Sequence, residues 1–232
     1  MCGRYSLSSI DGGQLQTRFG IAEAVALRPR YNIAPGTGIL TVRSGCDGGR
    51  VAEELRWGLV PHWTRDLSAA RTIVNARAET VCERPAFRAA LTHFRCVIPA
   101  DGFYEWQRVP GERRRQPFHI TPAGGGLFAF AGLWSVWHGG EADELRTVTI
   151  ITTAANAAVA PIHDRMPAIL DRAAEDLWLG HGVAAQAAAL LVAAPPERLA
   201  VRPAGSAVND ARYDGPGCLL DPPPAVRASL FT

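Results

Sequence analysis

The chain of 232 residues carries 24 basic against 22 acidic side chains, so a formal charge of +2 announces neither a nucleic-acid nor a membrane partner, and any such binding needs a local cluster. With 47% hydrophobic and 20% charged residues, the composition excludes a disordered or fibrous chain and suffices for one compact core. Every basic residue is Arg, which leaves the N-terminal α-amine as the only primary amine available for imine chemistry, although a GC-rich coding sequence accounts equally well for the missing lysines.

In chain order, Ser8 or Ser9 is placed to cap a short helix through Leu15 and Phe19 that stops near Gly20. Strand-like segments follow at 38–43, 51–57, 94–99, 118–121, 127–134 and 147–152, most of them short and bounded by Gly or Pro. Asp47, Gly48 and Gly49 read as the turn between the first two, and the Arg-rich stretch from Arg108 to Gln116 as an exposed hairpin loop. Helices are expected at 85–92 with Pro85 in the first turn, at 172–179 behind an Asp171 cap, and in the Ala-rich 183–192. Strands and helices do not alternate regularly. The expectation is an α+β fold with a mainly antiparallel, barrel-like β core and peripheral helices: one domain over 1–221 and a Pro-rich tail at 222–232.

No run approaches the roughly 18 apolar residues of a membrane span, and the N-terminus lacks the pattern of a targeting segment. A cytoplasmic monomer without membrane contact is expected. The five cysteines are odd in number and never spaced C-x-x-C, so neither a disulfide framework nor a zinc site is suggested; no metal or cofactor is expected.

Cys2 is the first residue that points to chemistry. Removal of Met1 leaves a free amine beside a thiol, and with unperturbed pKa values of about 8 and about 8.5 both groups are partly nucleophilic near neutral pH. An aldehyde suits this pair: the amine gives an imine and the thiolate closes a five-membered thiazolidine. The plain alternative is a small residue at a frayed chain end.

Further along, five compact segments are dense in polar and aromatic residues: Tyr31-Asn32-Ile33-Ala34-Pro35-Gly36, Trp57 to Trp63, Asn75-Ala76-Arg77-Ala78-Glu79-Thr80, Pro99 to Trp106, and His163-Asp164-Arg165-Met166-Pro167. In this order, behind Met1-Cys2-Gly3-Arg4, they resemble the SOS response-associated peptidase (SRAP) family from Cys2 to about Asn209. The resemblance implies a cysteine that crosslinks to abasic sites in single-stranded DNA through a thiazolidine, shielding the lesion during the DNA damage response. It implies Cys2 as that cysteine, Asn75, Glu105 and His163 as the other active-site positions, and Arg77 and Arg165 as holders of DNA phosphates. Arg4, Asn32, Pro35 and Trp63 fall in motifs that line the DNA-binding face, although Thr64 stands where family members often carry a second adjacent tryptophan. The family name also implies a cysteine peptidase activity that releases Met1, which ordinary methionine removal would equally achieve.

The residue types suit these roles on their own chemistry. A carboxyl group with a pKa near the operating pH can take the proton from the amine and deliver one to the departing oxygen, and Glu105 stands among Phe103, Tyr104 and Trp106, surroundings that raise a carboxyl pKa. His163 is the candidate for opening the closed sugar; His62, His93, His119, His138 and His181 read as structural or exposed. Asn75 both donates and accepts, Arg77 offers the forked donors that match a phosphate, and the two share a face if the segment is extended. Trp63 offers a stacking surface and Pro35 an apolar wedge; burial or turn formation explains either equally well. Two rivals remain: an N-terminal-nucleophile hydrolase of the glutamine amidotransferase kind, which also begins Met-Cys-Gly but has an apolar residue where Arg4 stands, and a nucleic-acid-binding module that does not need Cys2.

Overall fold

The computed structural model describes residues 2–68, 72–108, 111, 115–139, 144–180 and 182–222. The two longest strands, β9 (Phe128–His138) and β10 (Glu144–Ala154), are eleven residues each and rich in the β-branched and aromatic side chains that favour extended backbone. With β3 (Gly38–Ser44), β4 (Arg50–Trp57) and β6 (Arg95–Ala100) they close a ring: β9 pairs with β10 and β6, β6 with β3, β3 with β4, and β4 in parallel with β10. Closure removes the edges that an open sheet would expose. A second, five-stranded antiparallel sheet runs β13 (Leu199–Pro203), β8 (Gln116–Pro122), β7 (Gly102–Gln107), β1 (Tyr5–Leu7) and β2 (Arg30–Ile33). The α+β, mainly antiparallel barrel expected from the sequence is therefore the observed fold.

Alternation along the barrel strands divides the interior in two. Cys96, Ile98, Phe128, Phe130, Val148 and Ile150 pack with Tyr5, Leu7, Phe103 and Ile120 of the second sheet. The intervening Val97, Ala129, Ala131, Leu133 and Ile151 pack instead against helix residues such as Leu15, Phe87 and Trp178. The rings of Tyr5, Trp57, Phe103 and Phe130 meet edge to face at centroid distances of 5.5–6.1 Å, joining barrel to sheet.

Helix α1 (Gly12–Phe19) is capped by Asp11, whose carboxylate accepts from the Gln14 backbone while the Gln14 side chain returns to the Asp11 N–H. This corrects the expected start at Ser8 or Ser9: the backbone N–H groups of both donate to the Asp101 carboxylate, which holds that stretch out of the helix. Gly20, at φ 67°, ends the helix in the left-handed region that glycine enters without strain. Helices α2 (Pro85–His93) and α3 (Arg172–Leu179) fall where expected, the latter behind Asp171; α4 (Ala184–Ala189) is shorter than the Ala-rich run.

The sequence pattern did not separate β1, β2, β7 or β13, nor β5 (Asn75–Arg77), β11 (Arg165–Pro167) and β12 (Ile169–Leu170). The expected Arg-rich hairpin joins β7 to β8, whose last pair is Gln107 opposite Gln116. Its residues 109–110 and 112–114, like His181 and the tail from 223, lie outside the described residues. No helix among the described residues is long and apolar enough to cross a membrane.

Candidate active site

The strands missing from the sequence pattern are the ones that build the site. Strand β1 pairs antiparallel with β7, Tyr5 opposite Phe103, and the Tyr104 N–H extends the register by donating to the Arg4 carbonyl at 3.0 Å. That register carries Glu105 alongside the first residues of the chain. Beneath β1, Ser6 donates to Asp101 at 2.5 Å and meets the ring of the buried His119 at 3.0 Å. A side-chain Cβ at Gly102 would fall 2.1 Å from His119 Nε2, so only glycine admits the ring there. Arg202 lies 3.2 Å from His119 Nδ1; an Arg only donates, so the ring proton sits on Nε2 and points to Ser6. Burial lowers the His119 pKa to about 4, which keeps the ring neutral.

Cys2 is fully buried in the core shared by barrel and second sheet, which corrects the expectation of a thiol partly nucleophilic near neutral pH. Burial first, and the charge of Glu105 second, push the thiol well above the ordinary cysteine range, so it is protonated at neutral pH rather than partly ionised. Asn75 reaches it from β5, which lies in parallel register on β10, and donates from Nδ2 to the Cys2 carbonyl at 2.9 Å. The Asn75 Oδ1 is buried without a hydrogen-bond partner among the described residues. Glu105 is only 2% exposed, and burial raises its carboxyl to about 7. Its Oε2 lies 3.9 Å from His163 Nε2. The His163 Nδ1 accepts the Arg165 backbone N–H at 3.0 Å and lies 2.9 Å from the exposed Asp164 carboxylate. Burial lowers the His163 pKa.

Cys2, an amide, a raised carboxyl and a histidine that converge in this way have the chemistry for nucleophilic attack with proton transfer. The chain matches the family described as SOS response associated peptidase (SRAP) over residues 1–211. It belongs to that family. The abasic site processing protein YoqW of Bacillus subtilis is 42% identical over 182 residues, 77% of this chain and 80% of that protein. The abasic site processing protein HMCES of Pongo abelii is 32% identical over 239 residues, 87% of this chain and 68% of that protein. Among solved structures, a protein from Bacteroides thetaiotaomicron superposes with a TM-score of 0.83 at 26% identity, over 95% of this chain and 99% of that one.

Of the other SRAP-motif residues, Arg77 is exposed on β5 two residues beyond Asn75, with the buried Ala76 between them, as the expected extended segment requires. Pro35 is exposed at the turn between β2 and β3, and Trp63 is 50% exposed against the His62 ring. Beside Trp63 lies a groove of about 400 Å³ lined by Pro85, Ala89, Phe94 and Val136. Arg165 sits next to His163, but its guanidinium is held by both carboxylate oxygens of Glu79, at 2.6 and 2.9 Å, and by the Thr152 carbonyl.

Asn32 and Arg4 turn inward. Asn32 Oδ1 accepts from Arg4 at 2.8 Å while its Nδ2 donates to the carbonyls of Val208, Asp210 and Tyr213, and Arg4 donates in addition to Val208. Their polar atoms tie the N-terminal strand to the segment around Val208. Sequence reasoning assigned no role to Glu79, Ser6, Asp101 or Arg202, although Glu79 and Asp101 stand in two of the five segments, and read His119 as structural or exposed, as its buried place beneath β1 bears out.

Proposed function

We propose that the chain processes abasic sites in single-stranded DNA by forming a thiazolidine between Cys2 and the sugar aldehyde, protecting the lesion during the DNA damage response. The observation that carries the reading is the convergence of Cys2, Asn75, Glu105 and His163 at the start of the chain, in a family whose relatives bear the name abasic site processing protein.

Removal of Met1, by the chain itself or by an aminopeptidase, frees the Cys2 amine. His163 shuttles the proton that opens the hemiacetal to the aldehyde. The amine nitrogen then attacks the aldehyde carbon; Glu105 carries the two amine protons in turn to the oxygen, which leaves the carbinolamine as water and so gives the imine. A carboxyl at about 7 holds both protonation states near neutral pH, as a group that both accepts and gives a proton must. The buried, protonated thiol adds second: Sγ bonds to the imine carbon and its proton ends on the ring nitrogen, so the product is DNA plus protein less one water. Asn75 holds the Cys2 carbonyl from Nδ2 and presents the open Oδ1 to the new amine or a sugar hydroxyl. Arg77 and Arg165 hold phosphates, Trp63 stacks on a base, Pro35 wedges the strand, and Arg4 and Asn32 support this face from within. With no lysine in the sequence, the crosslink has a single candidate nitrogen.

Intact mass spectrometry before and after exposure to abasic single-stranded DNA tests this. The expected result is a chain lacking Met1 that gains the DNA mass less one water, and a Cys2→Ala variant that binds DNA without a stable adduct. Adduct formation by a chain that retains Met1 overturns the proposal, and ammonia release from glutamine in place of an adduct points to the hydrolase reading.

A further inference from the structure

Resting on the reading of this face as a DNA-binding one, we propose that Glu79 is an internal phosphate surrogate: it occupies the Arg165 fork in the DNA-free protein and yields it to a backbone phosphate on binding. Strands β5 and β11 both lie along the end of β10, where Thr152 is in register with Arg77 on one and with Pro167 on the other. The turn that follows β5, Ala78–Thr80, brings the Glu79 carboxylate across to Arg165 in a two-oxygen contact, the geometry in which Arg also binds phosphate. Glu79 also lies within the field of Arg77. The one acidic side chain in the Asn75–Thr80 segment therefore pairs with one of the two arginines assigned to DNA and feels the charge of the other.

The surroundings suit exchange rather than a permanent lock. The Glu79 side chain is 50% exposed and on a turn, so it can rotate into water without disturbing the core. The Arg165 side chain is 13% exposed, and Nη2 also donates to the Thr152 carbonyl at 2.6 Å, so the guanidinium stays in place when the carboxylate leaves. A DNA phosphate must displace an anion to reach Arg165, whereas the exposed Arg77 makes no ion pair among the described residues. Glu79 thus lowers the affinity for every nucleic acid and leaves the covalent step to discriminate abasic sites.

The test is binding to single-stranded DNA carrying a tetrahydrofuran in place of the abasic sugar, which offers no aldehyde and reports only the non-covalent step. Glu79→Gln is expected to bind about three- to tenfold tighter at low salt, with log K falling more steeply against log salt by about 0.7. In an Arg165→Ala background most of that gain should vanish. Equal or weaker binding by Glu79→Gln, with an unchanged slope, overturns the surrogate and makes Glu79 a support for Arg165, while wild-type binding stands. Failure of the wild type itself to bind this DNA overturns the DNA-binding reading and the surrogate with it.

Discussion

The closed barrel and the short strands laid against it are built on opposite terms. Strands β9 and β10 run eleven residues each, and both faces are covered, one by the second sheet and one by helices. The site strands β1, β5 and β11 are three residues each and carry or adjoin polar groups that the core has to tolerate. The burial lies in the first set and the proposed chemistry in the second, and the Phe130 ring joins them through Tyr5 and Phe103. Phe130→Ala is the largest expected perturbation: about 3–5 kcal/mol of stability from lost burial and a cavity. Because Tyr5 lies three residues from Cys2, crosslinking should fall below what the folded fraction accounts for. Denaturant unfolding alongside crosslink yield checks this; activity that tracks only the folded fraction would show that the barrel does not position the site.

Glu105 sharpens the contrast from the other side, since a carboxyl raised to about 7 by burial is a cost to the fold that the proposed proton transfer would account for. The folded-state pKa lies above the unfolded value, so its stabilising contribution is complete below about 4.5 and is lost as pH rises to about 7. Glu105→Gln should therefore unfold later than the wild type above pH 7, by up to about 3 kcal/mol, with the difference shrinking toward pH 4.5. The same variant should crosslink about 100-fold more slowly. A stability gain independent of pH would remove the burial argument, and an unchanged rate would remove the proton-transfer role.

This division also governs what could be read from the residues alone. The barrel strands announced themselves through runs of Val, Ile, Phe and Thr, because burial of both faces selects such runs, and α3 through its Asp171 cap. Strands such as Asn75–Arg77 and Arg165–Pro167 are too short for any period, and their extended form comes from pairing with β10. Cys2, Asn75, Glu105 and His163 were nonetheless singled out as candidates, since motif resemblance does not depend on secondary structure. What they touch was not. The burial of Cys2, the inward bonding of Asn32 and the Glu79 contact with Arg165 depend on partners 28 or more residues away, which no local window contains. The helix start failed for the same reason: Asp101, more than ninety positions distant, claims the Ser8 and Ser9 amides.

Arg77 isolates the exposed part of the site from both cores. Its side chain is on the surface of β5 with the buried Ala76 behind it, so Arg77→Ala should leave the unfolding midpoint nearly unchanged. Affinity for single-stranded DNA should fall by about tenfold at low salt, and the dependence of log K on log salt should flatten by about 0.7, one phosphate contact. Equal salt slopes for variant and wild type would remove the phosphate assignment.

The smallest effect belongs to the helix side and tests whether the two regions are separable at all. Asp171 caps α3 by accepting the Ala174 N–H at 2.9 Å, and α3 carries the buried Trp178 together with Glu175, which holds Arg18. Asp171→Ala removes one cap bond at the surface, a loss of about 1 kcal/mol that a thermal or denaturant midpoint resolves. Because α3 packs against the barrel face opposite the one that Cys2 shares with the second sheet, crosslinking per folded molecule should stay at the wild-type rate. A rate that drops together with this modest destabilisation would mean that strain in the helix layer passes through β6, whose Cys96 carbonyl accepts the Trp178 indole N–H at 2.8 Å, to the core around Cys2. The barrel would then act as part of the catalytic apparatus rather than as its passive frame.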